Sequence, residues 1–193
     1  MPRKLPSFLA IFAIIVAAIG VWTVSSFNSL VSLEENVDNS FAKIETQFQR
    51  RLDLIPNVVN TVEGVADFEQ ETLQNVVAAR SAWAAAGTAN EKIGAANGFE
   101  SALSRLLVTV EAYPELKATE AFRDLIVELE GTENRIAFSR NEYNDAATNY
   151  NKSVRLFPRN LIANLFSFEK EKLLFEAAAG ADVVPVVDFG GNQ

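Results

Sequence analysis

The sequence predicts an all-α protein: an N-terminal transmembrane helix that continues into a long antiparallel helical bundle of about four helices plus a short C-terminal helix. Three observations carry this expectation. An apolar, uncharged stretch opens the chain, the apolar positions beyond it recur at helical spacings, and no segment shows sustained strand alternation.

The first element is the apolar stretch. No charged residue occurs between Lys4 and Glu34, and Phe8 to Phe27 makes 20 residues, roughly 30 Å of helix and a match to bilayer hydrocarbon thickness. Trp22 and Phe27 stand near its far end, where aromatic side chains favour the membrane interface. The competing reading is a cleaved secretory signal, with Val24-Ser25-Ser26 as its small-residue context. The apolar stretch exceeds a usual signal core, and helical patterning follows at once without a turn or proline, so retention as an anchor is the expectation. Arg3 and Lys4 precede it, whereas Glu34, Glu35 and Asp38 follow it with no base before Lys43. That bias puts the N-terminus in the cytoplasm and the bundle outside the cell membrane.

Past the anchor, Leu30, Leu33, Val37, Phe41, Ile44, Phe48 and Leu52 repeat at 3, 4, 4, 3, 4, 4, an eleven-residue period that barely drifts around a straight helix. Anchor and first soluble helix are therefore expected to form one rod, on the order of 70 Å long, ended or kinked at Pro56. A second helix is expected from about Asn57 to Ala86, with Val59, Val62, Val65, Leu73, Val76, Val77 and Trp83 on its apolar face. Residues 84–98 are small and glycine-punctuated, which reads as a connection with room for a fragment of helix inside it, with Asn97 and Glu100 as a capping pair for a third helix. That helix carries Phe99, Leu103, Leu106, Val110 and Tyr113 and stops at Pro114. The fourth is long. Phe122, Leu129, Ile136, Tyr143, Tyr150 and Phe157 fall at seven-residue intervals, the stripe of helices packed at shallow angles, between Thr119 as N-cap and Pro158. Leu161 to Phe175 reads as a shorter helix. The domain limits that follow are a basic N-terminus at 1–7, the span at 8–27, the bundle at 28–176 and an extended or disordered tail at 177–193.

Composition excludes much chemistry. From residue 28 onward 15 basic residues face 25 acidic ones, a balance that repels nucleic-acid phosphates. Histidine and cysteine are absent, so disulfides, thiolate zinc sites, cysteine nucleophiles and imidazole triads are impossible. A di-iron bundle needs histidine as well, and neither an EF-hand loop nor a phosphate-cradling loop occurs. No catalytic, cofactor or metal residue is assigned, and no small-molecule substrate is identified.

Several polar residues nonetheless stand out. Thr132, Glu133, Ser139 and Arg140 occupy the second row of the helix-4 heptad, where apolar residues are expected, and read as a polar layer that fixes register. Asp53, Glu63, Glu69 and Glu111 are candidate carboxylate partners. Arg50 and Arg51 lie too far along the rod to reach lipid headgroups and are expected to satisfy carboxylates or cap carbonyls. Glu111 to Lys117 marks a tight corner, and Tyr113, Tyr143 and Tyr150 read as core residues with polar tips.

These segments resemble the LemA family. The resemblance is carried by Arg50-Arg51-Leu-Asp53-Leu-Ile-Pro56-Asn57, Glu111-Ala-Tyr113-Pro114-Glu-Leu-Lys117-Ala and Leu129-Glu130-Gly131-Thr132-Glu133-Asn134-Arg135-Ile136. Arg140-Asn-Glu-Tyr143-Asn144, Asn149-Tyr150-Asn151 and Phe157-Pro158 extend it, in order, over about Asn28 to Phe175. It implies an N-terminally anchored bacterial membrane protein with a long-helix bundle, no established catalytic activity, and relatives among magnetosome-membrane proteins. The chain departs from the family pattern at Val65-Ala66-Asp67-Phe68, where relatives usually carry an aromatic and a histidine before the residue matching Glu69.

The functional expectation is a non-enzymatic membrane-anchored scaffold with the lipid bilayer, protein partners or further copies of itself as its contacts, and no nucleic acid. Val58, Ile126 and Phe138 are apolar positions beyond one seam and could supply a face for self-association. The alternatives are a carboxylate-based hydrolase or metal-binding protein, and a secreted helical binding protein.

Overall fold

The computed structural model describes residues 5–65 and 68–175. Among them six helices run in the order α1 (Leu5–Glu63), α2 (Gln70–Ala85), α3 (Ala89–Val110), α4 (Pro114–Ala118), α5 (Glu120–Arg155) and α6 (Arg159–Leu165), with no strand. The fold is all-α, as the periodicities predict. Arg3 and Lys4 and the expected tail from 177 lie outside the described residues.

The chain forms two compact units. In the first, α1 packs antiparallel to α5, with α4 and α6 on α5. The antiparallel sense follows from cross-helix partners whose numbers run in opposite directions: Phe41 meets Tyr143 edge-on at 5.5 Å, Arg140 lies over the Phe48 ring at 5.5 Å, and Arg51 binds Glu133. The buried row of α5 alternates large and small, Leu129, Thr132, Ile136, Ser139, Tyr143, Ala146, Tyr150. Leu30, Ile44, Phe48, Ile55 and Ile136 are fully enclosed, each contributing about 1.5–3 kcal/mol by leaving water.

Helix α1 is longer than the sequence predicts. Pro56 does not end the helix; α1 continues through it to Glu63. Pro56 faces outward and forgoes one backbone hydrogen bond, while Ile55, Val58 and Val62 on the opposite side are buried. Their packing outweighs the local defect. The expected helix from Asn57 to Ala86 is therefore two pieces, the end of α1 and α2. Residues 25–30 are helical without interruption.

The second unit is the hairpin of α2 and α3. The stretch expected to be a connection from 84 to 98 is helical from Ala89, and Gly94 and Gly98 are exposed positions within it. Thr88 and Glu91, not Asn97 and Glu100, form the capping box. The Gly87 and Thr88 amides and then the Thr88 hydroxyl hold the Glu91 carboxyl below its usual range. Trp83, Phe99, Leu103 and Leu106 fill the hairpin core, with the Lys92 ammonium 5.6 Å from the Trp83 ring centre. Val77, expected on the apolar face, is exposed.

Pro114 opens a helix instead of stopping one, since α3 already ends at Val110 and proline fits a first helical turn. Thr119 caps α5 as expected, accepting from the Phe122 amide at 3.4 Å. Phe157 lies beyond the end of α5 and is exposed, so the heptad stripe stops one position earlier than predicted. The expected helix over Leu161–Phe175 is only α6. Ser167 adopts a left-handed conformation (φ 59°) and the Phe168 amide donates to the Ala163 carbonyl at 2.9 Å, a helix-stopping closure from which the chain turns back as a strap.

Candidate functional site

The strap, residues 166–174, is tied to α5 by side chains one heptad apart. The Tyr150 hydroxyl donates to the Glu169 carbonyl at 2.8 Å and the Tyr143 hydroxyl to the Leu173 carbonyl at 2.8 Å. Between them Asn151 makes a reciprocal pair with Lys172, its Nδ2 donating to the carbonyl at 2.9 Å and its Oδ1 accepting from the amide at 2.7 Å. An amide side chain here takes the place of a neighbouring strand and satisfies both backbone groups of one residue. Lys172 then turns its ammonium across Tyr150, 5.5 Å from the ring centre, to reach Glu169 at 2.8 Å and Glu34 of α1 at 3.3 Å. One side chain thus links α1, α5 and the strap.

The electrostatics follow from enclosure. Burial, and after it the charge of Glu34, pushes the Tyr150 hydroxyl up to about 12. Burial also raises Tyr143. For Lys172 burial works against the ammonium, but the hydrogen bond and charge of Glu169, then those of Glu34, outweigh it and lift it to about 12. Both tyrosines stay neutral donors and Lys172 stays charged throughout the physiological range. This is chemistry for holding, not for proton transfer.

The strap leaves α6 beside the end of the apolar stretch. Phe27 packs on Phe166 with ring centres 4.8 Å apart and on Phe168 at 5.6 Å. Phe27 is therefore partly covered by protein. Trp22, one of the expected interface residues, is on the open side. From Phe8 to Trp22 the side chains are exposed, and this helix is long and apolar enough to cross a membrane.

The remaining sequence-selected residues are spread over both units. Arg51 is enclosed and pairs with half-exposed Glu133, while Thr132, buried beside it in the row, donates to the Leu129 carbonyl at 2.7 Å. Ser139 is buried too. Arg50, Asp53 and Asn57 lie on the outer side of α1; Asp53 accepts from Gln49 at 2.7 Å, and the Asn57 carbonyl accepts from Thr61 at 2.8 Å. In the second unit Glu69 precedes α2 and accepts from the Thr72 hydroxyl at 3.1 Å, and Glu111 and Tyr113 follow α3. Lys117 belongs to α4, in the first unit. Val58 is fully buried and cannot belong to an outer face; Ile126 is half-buried and Phe138 exposed. Among the described residues no group of three or more carboxylates gathers in a metal-holding arrangement. Sequence reasoning missed Lys172 and Glu169, and it gave Asn151 and Glu34 no part in a shared site. The repeated Tyr-Asn pairs at 143–144 and 150–151 were the available signal.

A profile of the LemA family matches residues 40–189. The chain belongs to the LemA family. Among individual proteins it is 27% identical to magnetosome protein MamQ 1 of Paramagnetospirillum magneticum, over 80% of this chain and 66% of that protein. It is 25% identical to magnetosome protein MamQ of Magnetospirillum gryphiswaldense, over 89% of this chain and 73% of the relative. Protein LemA of Metamycoplasma hominis is 24% identical over 70% of this chain and 63% of its own length. The chain thus spans just under two thirds of the MamQ 1 sequence. Of the residues on which the sequence resemblance was drawn, Tyr143, Tyr150 and Asn151 hold the strap and Arg51 pairs with Glu133.

Proposed function

We propose that this LemA-family member is a non-enzymatic, single-pass scaffold of the bacterial envelope, with its N-terminus in the cytoplasm and its helical units outside. Its mechanism is geometric. The span and the first helix of the bundle are one element, so the orientation of the span passes directly to α5 and the strap, where a flexible linker would lose it. Exposed faces then recruit protein partners or further copies of the chain. The unbroken course of α1, with open apolar side chains from Phe8 to Trp22 and a buried stripe beginning at Ser26, is the observation that carries this reading. The similarity to magnetosome proteins supports a membrane-organising role. The neutral tyrosines and paired Lys172 favour an architectural part over a catalytic one.

Because the chain has no cysteine, single reporter thiols give a direct test. In intact cells Gln49→Cys should react with a membrane-impermeant maleimide, Ser7→Cys should react only after permeabilisation, and the protein should keep its full mass in the membrane fraction. The opposite labelling would reverse the orientation, and loss of the first 25 or so residues from the mature mass would replace the anchored scaffold with a secreted module. Crosslinking in native membranes that returns only the single chain would remove self-association and leave partner recruitment.

A further inference from the structure

The turn between α5 and α6, with α6 itself, exposes an apolar ridge that the scaffold reading leaves unused. Phe157, Leu161 and Leu165 follow one another at four-residue steps and are 78%, 56% and 71% exposed. Leu156 and Phe166 flank them, also exposed, while Ile162 and Ala163 turn inward to the first unit. Single exposed apolar residues are ordinary, but a run of them across a turn and the short helix that follows it marks a surface with an occupant.

Two observations say what the occupant is. The first is position. Phe166 touches Phe27 with ring centres 4.8 Å apart, and Phe27 lies about 28 Å along the helix from Phe8, close to one hydrocarbon thickness. If α1 spans the bilayer from Phe8, then the ridge sits where the span leaves it. The second is charge. Between Lys152 and Lys172 five basic residues stand against two acidic ones, in a chain with a formal charge of −8. Lys172 is engaged with Glu34 and Glu169, whereas the Lys152, Arg155 and Lys170 side chains are exposed and Arg159 is partly so. Apolar side chains that enter the acyl boundary, ringed by bases that meet phosphate, are the composition of an interfacial anchor.

We propose that the α5–α6 turn together with α6 is a second membrane contact, in which Phe157, Leu161 and Leu165 enter the leaflet beside the span and Arg155, Arg159 and Lys152 engage anionic lipid headgroups. The proposal rests on the spanning reading of α1. Two contacts, one through the bilayer and one along its surface, fix the tilt of the α1–α5 pair, which a single span leaves free to vary.

The test uses the full chain reconstituted in vesicles, with an environment-sensitive fluorophore on a single introduced cysteine and lipids carrying a quencher at a shallow or a deep position. Phe12→Cys reports on the span, Leu161→Cys and Leu165→Cys on the ridge, and Ala137→Cys, exposed on α5, on the aqueous bundle. The expected result is deep quenching at position 12, shallow quenching at 161 and 165, and none at 137. Ridge quenching should rise about twofold when phosphatidylglycerol is added to phosphatidylcholine, and Arg155→Gln/Arg159→Gln should abolish that rise. Quenching at 12 without quenching at 161 and 165 overturns the second contact and leaves the span intact. No quenching at 12 overturns the spanning reading and, with it, this proposal. A ridge fluorophore shifted to the blue yet unquenched by lipid means that protein covers the ridge, which also overturns the proposal. Equal quenching in both lipid mixtures overturns the headgroup part.

Discussion

The α1–α5 pair and the α2–α3 hairpin are both built from amphipathic helices, but they are closed by different means. In the pair, order comes from groups distant in sequence: Arg51 with Glu133, Lys43 with Glu142 at 3.2 Å, Lys172 with Glu34, and Phe41 of α1 edge-on to Tyr143 of α5. In the hairpin the best-defined polar closure is local, the box in which Thr88 and Glu91 cap α3 across a connection of three residues, Ala86–Thr88. Long-range closure makes the pair a poor candidate for independent fragments. Local closure lets α3 form its own N-terminal end.

The strongest test of that contrast is Phe48→Ala. Phe48 is fully buried in the pair, and its loss should cost about 3–5 kcal/mol, read by chemical denaturation followed through helical circular dichroism. A loss below about 1 kcal/mol would mean that the pair is not what holds the first unit together. Pro56→Ala should move the other way. Restoring an amide that can donate to the Leu52 carbonyl, at an exposed site, should stabilise the chain by about 1–3 kcal/mol; destabilisation would show that the proline is required where it stands. Asn151→Ala removes both hydrogen bonds to Lys172 and should cost about 1–3 kcal/mol. Hydrogen exchange should then accelerate at the Lys172 amide while the α1–α5 core stays protected. Thr88→Ala should cost about 1 kcal/mol and speed exchange in the first turn of α3 alone, a change that should leave the pair untouched if closure there is local.

The smallest effect at ordinary pH belongs to the strap. Tyr150 is raised from 10.0 and Lys172 from 10.5, each to about 12, so the folded state keeps protons that the unfolded chain releases. Their contribution is complete below pH 10 and is lost as pH climbs toward 12. Strap contacts should be indifferent to pH across the neutral range and loosen only in that alkaline window, as followed by tyrosinate absorbance with Tyr150→Phe as the comparison. Loosening near neutrality would contradict the enclosure of these groups.

The contrast also explains what could be read from the sequence. The α5 stripe was legible because a strict heptad, a threonine cap and a following proline agree, and its tyrosines were recognisable as core residues with polar tips. The end of α1 was not, because proline's local cost is visible in the sequence whereas burial of Val58 and Val62 is a tertiary gain. The start of α3 was misplaced because Gly94 and Gly98 suggested a break, although Ile93, Ala96 and Phe99 continue the buried row. The Thr-x-x-Glu signal at 88–91 was there and was passed over for Asn97. The strap was hidden for a different reason. Tyr143 and Tyr150 bind backbone carbonyls, and a carbonyl carries no residue identity from which its partner can be inferred.

The uninterrupted helix through residues 22–30 also sets an angular phase. Each residue added to or removed from that stretch would turn everything beyond it by about 100° and shift it by about 1.5 Å. Whatever packs against the apolar segment would then meet a different side of the protein. Only changes near seven or eleven residues bring the same side round again, so length variation there should be quantised in steps of that size.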